Sequence, residues 1–174
     1  MRFLDLVLRR QSVRRYLDRP VERAPLERCL EAARLAPSAS TAQPWYFVVA
    51  DEPGLVRSLG QAAYNRFTRA VPAFVAMVCE PGNAVTRLSG WLAGRDYRLI
   101  DLGLAAGHFC LQAAEEGLGT CLLGMFNQRR VRKLLGVPPG RRVELLIAVG
   151  YPADAEVRGK NRKPLDRIRG YNCY

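Results

Sequence analysis

The stretch RRQSVRRY at residues 9–16 places four arginines around one serine. Guanidinium groups bind phosphate through paired hydrogen bonds and a serine hydroxyl adds a further donor, so this composition predicts a phosphate clamp. Three other roles fit the same residues: a solvated basic surface, an arm that binds nucleic acid, and a protein-kinase target at Ser12. We rank the kinase target last, because we expect Ser12 to be embedded between a helix and a strand.

A second basic cluster lies at the other end of the chain. Residues 156–174 carry six basic residues and residues 1–15 carry five arginines, out of 27 lysines and arginines and a net charge of +11. If the two ends meet in the fold, they form one anion-binding site. If they do not meet, the chain has the basic surface that many nonspecific nucleic-acid-binding proteins share.

The chain offers few side chains for proton transfer or nucleophilic attack. Its single histidine, His108, falls within a long helical pattern, and we interpret it as a helix residue at an interface. The G-x-S-x-G, H-E-x-x-H, phosphate-loop and dinucleotide-binding motifs are missing from the sequence. This shortage favours either a protein without catalysis or an enzyme whose bound cofactor performs the chemistry.

Length and composition indicate one globular domain over residues 1–174, with 49% hydrophobic and 25% charged residues. No apolar run reaches the length of a membrane span, and the start is too short for a signal peptide, so we expect a cytoplasmic protein without a membrane partner. The five cysteines are odd in number and widely spaced, which argues against a disulfide framework and a metal site. We expect four of them to be core residues and leave Cys173 undetermined.

These chemical groups must be positioned by a mixed set of helices and strands. Apolar patterns predict strands at 45–50, 72–79 and 143–152, and a short strand within 117–126. They predict helices at 2–9, from about Pro25 to before Pro37, at 97–116 and at 128–135, with one or two helical turns at 53–60. Residues 37–44 are expected to be a loop, and 80–94 to be irregular with a short helical piece around Trp91. The unalternating strands predict an α+β domain whose sheet is covered on both faces.

Four segments, in this order, resemble the nitroreductase family of FMN-dependent oxidoreductases. RRQSVRRY is similar to the family's R-R-x-S-x-R-x-[FY], and APSASTAQPWYFVV at 36–49 is similar to its A-P-S-x-x-N-x-Q-P-W-x-F-V-V. The segment at 101–126 resembles its long helix and the following G-L-G-T-C-W-I-G-type strand, and GKNRKPLDRIRGYNCY at 159–174 resembles its K-x-R-K-P-L…Y-N tail. The resemblance runs from about residue 9 to residue 174.

The resemblance implies a central, mainly antiparallel sheet flanked by helices, in an intertwined homodimer with two FMN sites lined by both chains. It also implies an enzyme that passes hydride from NADH or NADPH through flavin N5 to a nitroaromatic, quinone or similar small acceptor. This ping-pong scheme needs no catalytic side chain and no metal ligand, because the flavin carries the chemistry.

The site residues that the resemblance implies fall into two groups. At the phosphate and flavin edge, it assigns Arg10, Gln11, Ser12 and Arg14 from the start of the chain and Lys160 and Arg162 from the tail. At the isoalloxazine ring, it assigns Pro37, Ser38 and Thr41 from the partner chain, and Leu122, Leu123 and Gly124 along the ring face near N5. The family loop usually has asparagine where Thr41 stands, and many members have an acidic residue near Leu123.

Two other functions stay open from the sequence. One is a specialised flavoprotein of the same family, which destroys a flavin or dehydrogenates a natural product. The other, which we rank lower, is a basic nucleic-acid-binding module without catalysis. We expect residues 60–70 and 80–96 to shape the substrate pocket, and the small residues Gly103 and Gly107 of the long helix to lie at a subunit contact.

Overall fold

The computed structural model describes residues 2–154 and 156–174. The helices are α1 (Phe3–Arg9), α2 (Arg23–Arg34), α3 (Pro53–Ala62), α4 (Ala84–Ala93), α5 (Tyr97–Glu115) and α6 (Gln128–Leu134). The strands are β1 (Trp45–Ala50), β2 (Ala73–Cys79), β3 (Gly119–Leu123) and β4 (Arg142–Gly150). Short 3₁₀ turns lie at Ala39–Thr41, Arg66–Ala70 and Leu165–Arg167.

The four strands form one antiparallel sheet in the order β1-β2-β4-β3. The outer edge of β3 is met by the extended segment that follows α1. There Ser12 and Thr120 form a parallel bridge, and the Val13 amide donates to the Thr120 carbonyl at 2.9 Å. The expected α+β fold with a helix-flanked, mainly antiparallel sheet is confirmed.

Helices cover both faces of the sheet. On one face α2 and α5 pack against β2 and β4 through residues such as Leu26, Phe109 and Ile147. On the other face α3, the turn at Arg66–Ala70 and α6 pack through residues such as Leu59 and Val131. All seven residues of β2 are therefore buried, which explains why its sequence does not alternate between apolar and polar residues.

Two glycines let the start of the chain lie directly on the sheet. A Cβ at Gly119 would approach Val13 Cγ2 to 2.6 Å, and a Cβ at Gly150 would approach Tyr16 Cδ1 to 2.8 Å. The Tyr16 hydroxyl donates to the Val13 carbonyl at 2.8 Å, and burial raises the pKa of this phenol well above its ordinary value. Since both contacts lie between the arginines of the basic stretch and the sheet, the position of that stretch is fixed by packing.

The largest difference from the sequence prediction concerns α4, a regular helix of ten residues where we expected irregular structure with a short helical piece around Trp91. The Asn83 side chain caps it by accepting from the Thr86 amide at 2.9 Å, and Gly94 ends it in the left-handed conformation. The helix α3 begins at Pro53 as predicted, where Glu52 caps it by accepting from the amides of Gly54 and Leu55, and it runs two residues beyond the predicted 53–60, to Ala62. Gly94, one of the glycines that led us to predict an irregular segment at 80–94, is the residue that ends α4.

No helix in the described part of the chain is long and apolar enough to cross a membrane.

Candidate functional site

The two basic ends of the chain meet beside β3. They line a surface cavity of about 280 Å³, formed by Arg10, Gln11, Ser12, Arg14 and residues 158–162. Five of its lining residues are basic: Arg10, Arg14, Arg158, Lys160 and Arg162. No acidic residue lines it within the ranges 2–154 and 156–174. We call this group of residues the basic clamp. All six residues that the sequence assigned to the phosphate end lie in it.

Hydrogen bonds hold the tail against the start of the chain. The Lys160 ammonium donates to the Arg10 carbonyl, and the Arg158 guanidinium donates to the Ser12 carbonyl. Gln11 connects the two segments from both ends of its amide, since Nε2 donates to the Glu156 carbonyl at 2.8 Å and Oε1 accepts from Arg158 Nε at 3.1 Å. The Gln11 side chain therefore positions the tail in this structure.

The basic clamp has an uncompensated positive potential. The pKa of Lys160 is lowered by desolvation and by the nearby charges of Arg10, Arg162 and Arg158. The positive charges of the clamp repel one another. A bound anion would stabilise them, because its negative charge offsets this repulsion. The electrostatics therefore agree with a phosphate or a comparable dianion as the ligand.

The thiol beneath the basic clamp is not poised for chemistry. Cys121 is buried, and this burial raises its pKa, although Arg14 and the Ser12 hydroxyl act in the opposite direction. A thiol with a raised pKa stays protonated near neutral pH, which makes it a poor nucleophile. Cys29, Cys79 and Cys110 are also buried and Cys173 is exposed, which confirms the prediction of four core cysteines.

The loop at 37–44, which we call the ring loop because the resemblance assigns it to the isoalloxazine, is held in a strained conformation. Ser40, Thr41 and Gln43 have positive φ angles of 48°, 49° and 45°. Residues other than glycine reach this region at a cost of roughly 1–3 kcal/mol each, and such strain concentrates at ligand sites.

Three side-chain interactions impose this conformation. The Asp101 carboxylate, on the buried face of α5, accepts from the Ala39 amide at 3.1 and 3.2 Å. Ser38 Oγ accepts from the Gln43 amide at 3.1 Å, and Asn83 Nδ2 donates to the Ser40 carbonyl at 3.0 Å. The Asp101 side chain therefore fixes one end of the loop, and the cap of α4 fixes its middle.

The ring residues are placed apart from the basic clamp within one chain. Pro37 and Thr41 are exposed, Ser38 is half-buried, and the cavity of the clamp includes none of the three. At the end of β3, Leu122 is 41% exposed and Gly124 is exposed, whereas Leu123 is 4% exposed and packs in the core against the α3 and α6 side. Only the backbone of Leu123 is therefore available to a ligand.

Sequence reasoning missed three residues that shape the site. Arg158 was counted among the basic residues of the tail but was not assigned to the phosphate. Asp101 is a buried acid on the apolar face of α5, and a carboxylate within that stripe is the signal that would have identified it. Asn83 gave the ordinary signal of a helix cap, but its second contact, to Ser40, depends on the tertiary fold.

Comparison with known proteins agrees with this geometry. Residues 7–83 and 92–151 match the nitroreductase family. An NADH dehydrogenase of Thermus thermophilus is 29% identical, over 92% of this chain and 91% of the relative, and an iodotyrosine deiodinase of Thermotoga neapolitana is 28% identical, over 98% and 97%. A crystal structure of a nitroreductase family protein from Clostridium difficile 630 has a TM-score of 0.83 and 27% identity and covers 100% of both chains.

Proposed function

Because the chain belongs to the nitroreductase family and is an enzyme of the nitroreductase type, we propose that it binds FMN and uses NADH or NADPH to reduce small electron acceptors. Nitroaromatics and quinones are the acceptor classes that the resemblance implies. The observation that carries the proposal is the basic clamp, in which five basic side chains surround one cavity that no acidic residue lines among the described residues.

The residues of the clamp fit a phosphomonoester. Such a group carries roughly −1.5 to −2 charges at neutral pH, which the cations offset. Arg10 and Arg14 supply paired donors, Ser12 supplies a hydroxyl, and Lys160 and Arg162 close on the same group from the tail. Arg158 joins them as an addition to the residues assigned from the sequence. Gln11 keeps the two segments together.

At the ring end, Pro37, Ser38 and Thr41 of the partner subunit would contact the isoalloxazine, and Leu122, Gly124 and the backbone of Leu123 would lie along its face near N5. When bound, FMN supplies the hydride transfer. The protein orients the ring, excludes water and holds the phosphate charge. None of the assigned side chains has to exchange a proton, which agrees with the shortage of acid–base residues in the sequence.

The proposed homodimer is supported by apolar surface that a lone chain leaves exposed. The helix α1 buries none of its residues, and Phe3, Leu4 and Leu8 are exposed on it. The outer face of α5 exposes Ile100 and Leu104. On the same face a Cβ added at Gly103 or Gly107 would meet no atom within 4 Å. Further exposed apolar side chains lie along the tail: Leu165, Ile168, Tyr171 and Tyr174. Covering such surface stabilises a dimer by about 25 cal/mol per Å² of apolar area buried.

The test is to measure flavin uptake and then turnover. We expect the purified protein to be yellow, or to become so with added FMN, with a flavin band near ~450 nm. With FMN bound, it should oxidise NADH or NADPH in the presence of a nitroaromatic or a quinone, with the parallel double-reciprocal lines of a ping-pong scheme. Protein that is colourless, takes up no FMN and binds DNA with a steep dependence on salt would point instead to the nucleic-acid module.

The acceptor panel should include an iodotyrosine, because one relative that covers nearly the whole chain is named a deiodinase. It should also include free reduced flavin as a substrate, which tests the flavin-destroying alternative. Turnover restricted to one of these two compounds would assign the chain to a specialised branch of the family and not to general acceptor reduction.

A further inference from the structure

A second cavity, of about 500 Å³, lies between α4 and the start of α5. Its floor includes Pro81 and the buried Thr86, and its walls carry three arginines and two aromatic residues. These are Arg87, Arg95, Arg98, Trp91 and Tyr97. We call it the α4–α5 cavity.

The charge of this cavity is positive. Asp96 is its one acidic lining residue in the described part of the chain, and it is already engaged by Arg98, whose Nε and Nη2 both donate to it at 2.8 Å. That ion pair lowers the pKa of Asp96, so its charge is matched by Arg98 over the neutral range. Arg87 and Arg95 form no ion pair with any described residue, which leaves two uncompensated guanidinium groups.

The aromatic wall is unusually open. The Trp91 side chain is 78% exposed, and Tyr97 is half-buried beside it. An indole face and guanidinium groups that line one cavity attract a flat ring that carries a carboxylate or sulfonate, because the ring stacks while the charge pairs.

A tight backbone turn joins the end of α4 to the start of α5 at the edge of the cavity. A Cβ at Gly90 would lie 2.7 Å from the Arg95 carbonyl, so only glycine permits this close turn. The Arg95 amide donates to the Gly90 carbonyl at 2.9 Å, and Gly94 takes the left-handed conformation between them. Trp91 and Arg95 therefore lie on the two sides of one tight turn.

The cavity is connected to the ring loop. Asn83, the cap of α4, donates to the Ser40 carbonyl, and a Cβ at Gly82 would lie 3.9 Å from Ala42 and Pro44. The same Cβ would lie 2.9 Å from Thr86 Oγ1, and Pro81 and Thr86 both line the cavity, so the cavity begins beside the ring loop and extends along α4 toward Arg95.

From these observations we infer that the α4–α5 cavity binds the acceptor, and that it selects anionic aromatic compounds through Arg87, Arg95 and Trp91. This inference rests on the proposed function, since it names the acceptor class of the same enzyme. In this role the two arginines are specificity-determining residues, and the chemistry on the acceptor remains that of the flavin.

The experiment compares two acceptors of nearly equal shape, para-nitrobenzoate and para-nitrobenzamide, on the FMN-loaded protein. We expect the benzoate-to-benzamide ratio of kcat/KM to be about fivefold higher in the unaltered protein than in the double variant R87Q/R95Q, as for partly exposed charge pairs. The matched control is Arg129→Gln on α6, which packs on the other face of the sheet and should leave the ratio unchanged.

A binding measurement makes the test independent of turnover. Benzenesulfonate, which cannot be reduced here, should quench the tryptophan fluorescence of the protein at concentrations where benzyl alcohol does not. The Trp91→Phe variant should lose that quenching, since Trp45 is then the remaining tryptophan.

The outcomes separate the two proposals. If the protein takes up no FMN and reduces neither nitro compound, the proposed function fails, and the fluorescence titration still decides whether the cavity binds aromatic anions. If both nitro compounds are reduced but the ratio is the same in R87Q/R95Q, the acceptor inference is overturned. The inference is also overturned if R87Q/R95Q sediments differently from the unaltered protein while the benzoate-to-benzamide ratio of kcat/KM stays the same. The arginines would then belong to a contact between subunits.

Discussion

The phosphate end and the ring end of the proposed flavin site are built by different physical means. At the phosphate end, charge dominates: five basic side chains from the two ends of one chain surround one cavity. At the ring end, the backbone dominates: the ring loop holds three positive φ angles and is fixed by Asp101 and Asn83. The first end is assembled within a single chain, whereas the second stands apart from it.

This difference can be measured with two ligands. FMN and riboflavin share the isoalloxazine and the ribityl chain, and only FMN carries the phosphate. A change at the phosphate end should alter the ratio of their affinities, whereas a change at the ring end should weaken both ligands by the same factor.

The largest effect is expected from separating the subunits of the proposed homodimer. Gly103→Arg places a long charged side chain on the outer face of α5, where an added Cβ meets no atom of its own chain within 4 Å. We expect a folded monomer, because replacing glycine within a helix gains up to about 1 kcal/mol of helix propensity. FMN affinity should fall by about 100-fold or more, equivalent to about 2.8 kcal/mol, since the partner's ring loop is lost. Analytical ultracentrifugation and a flavin titration check both outcomes.

Glu27→Arg on the exposed side of α2 is the control for added charge, and it should remain dimeric and bind FMN normally. A Gly103→Arg monomer that binds FMN as tightly as the unaltered protein would show that one chain holds both ends of the site.

Arg14→Ala should weaken FMN binding by about 1.5–3 kcal/mol, the range for a hydrogen bond to a charged group. Riboflavin binding should change little, so the affinity ratio falls. The neighbouring Arg15→Ala is the matched control, because Arg15 pairs with Asp154 at 3.2 Å on the exposed surface and has no assigned role at the phosphate. An equal loss in both variants would indicate a general effect of positive charge.

The phosphate end was accessible to sequence reasoning because its signal is local and chemical. Four arginines around Ser12 favour an anion site over the other roles that the sequence leaves open, and the basic tail offers a second half if the two ends meet. Whether the halves meet depends on the glycines that seat residues 13–16 on the sheet, and those contacts are tertiary.

The ring end was accessible only through the family resemblance. Its strain at Ser40, Thr41 and Gln43 has no sequence signature, because none of these residues is a glycine that would indicate a positive φ. The role of Asp101 depends on a hydrogen bond across 62 positions of the chain. Likewise the sequence predicted only a short helical piece around Trp91 in place of the whole of α4, because the cap and the closing turn of α4 outweigh the low helix propensity of its glycine.

Asp101→Ala should loosen the ring loop and leave the basic clamp intact. The carboxylate is 3% exposed and accepts from the Ala39 amide, so its removal leaves that donor without a charged partner and should lower the free energy of unfolding by about 1–3 kcal/mol. FMN and riboflavin affinities should fall by the same factor. Thermal unfolding of the protein without flavin and paired flavin titrations measure the two effects, and a selective loss of FMN would contradict the assignment of Asp101 to the ring end.

The lowered pKa of Lys160 predicts a pH dependence that belongs to the phosphate end alone. The ammonium form binds the phosphate, so FMN affinity should be constant between the second ionisation of the phosphate, at pH ~6, and the lowered pKa of Lys160, and should fall as the pH rises through that pKa toward the ordinary value of 10.5. We expect a decrease of less than about tenfold across this alkaline window, because the arginines stay charged. Lys160→Arg should flatten the profile, and riboflavin should show no such decrease with either protein.

The smallest effect concerns Thr41, which stands where the family usually has asparagine. Its φ of 49° is unfavourable for a β-branched side chain, whereas asparagine enters the left-handed region several times more readily. Thr41→Asn should therefore raise the free energy of unfolding by about 0.5–1 kcal/mol, measured by urea denaturation without flavin. Ser40→Asn provides a second test of the same explanation, because the exposed Ser40 lies next to Thr41 and has a similar φ of 48°. A loss of stability in Thr41→Asn would mean that the methyl or hydroxyl group of the threonine holds the ring loop, so that side-chain contacts, and not the backbone conformation, would govern the ring end.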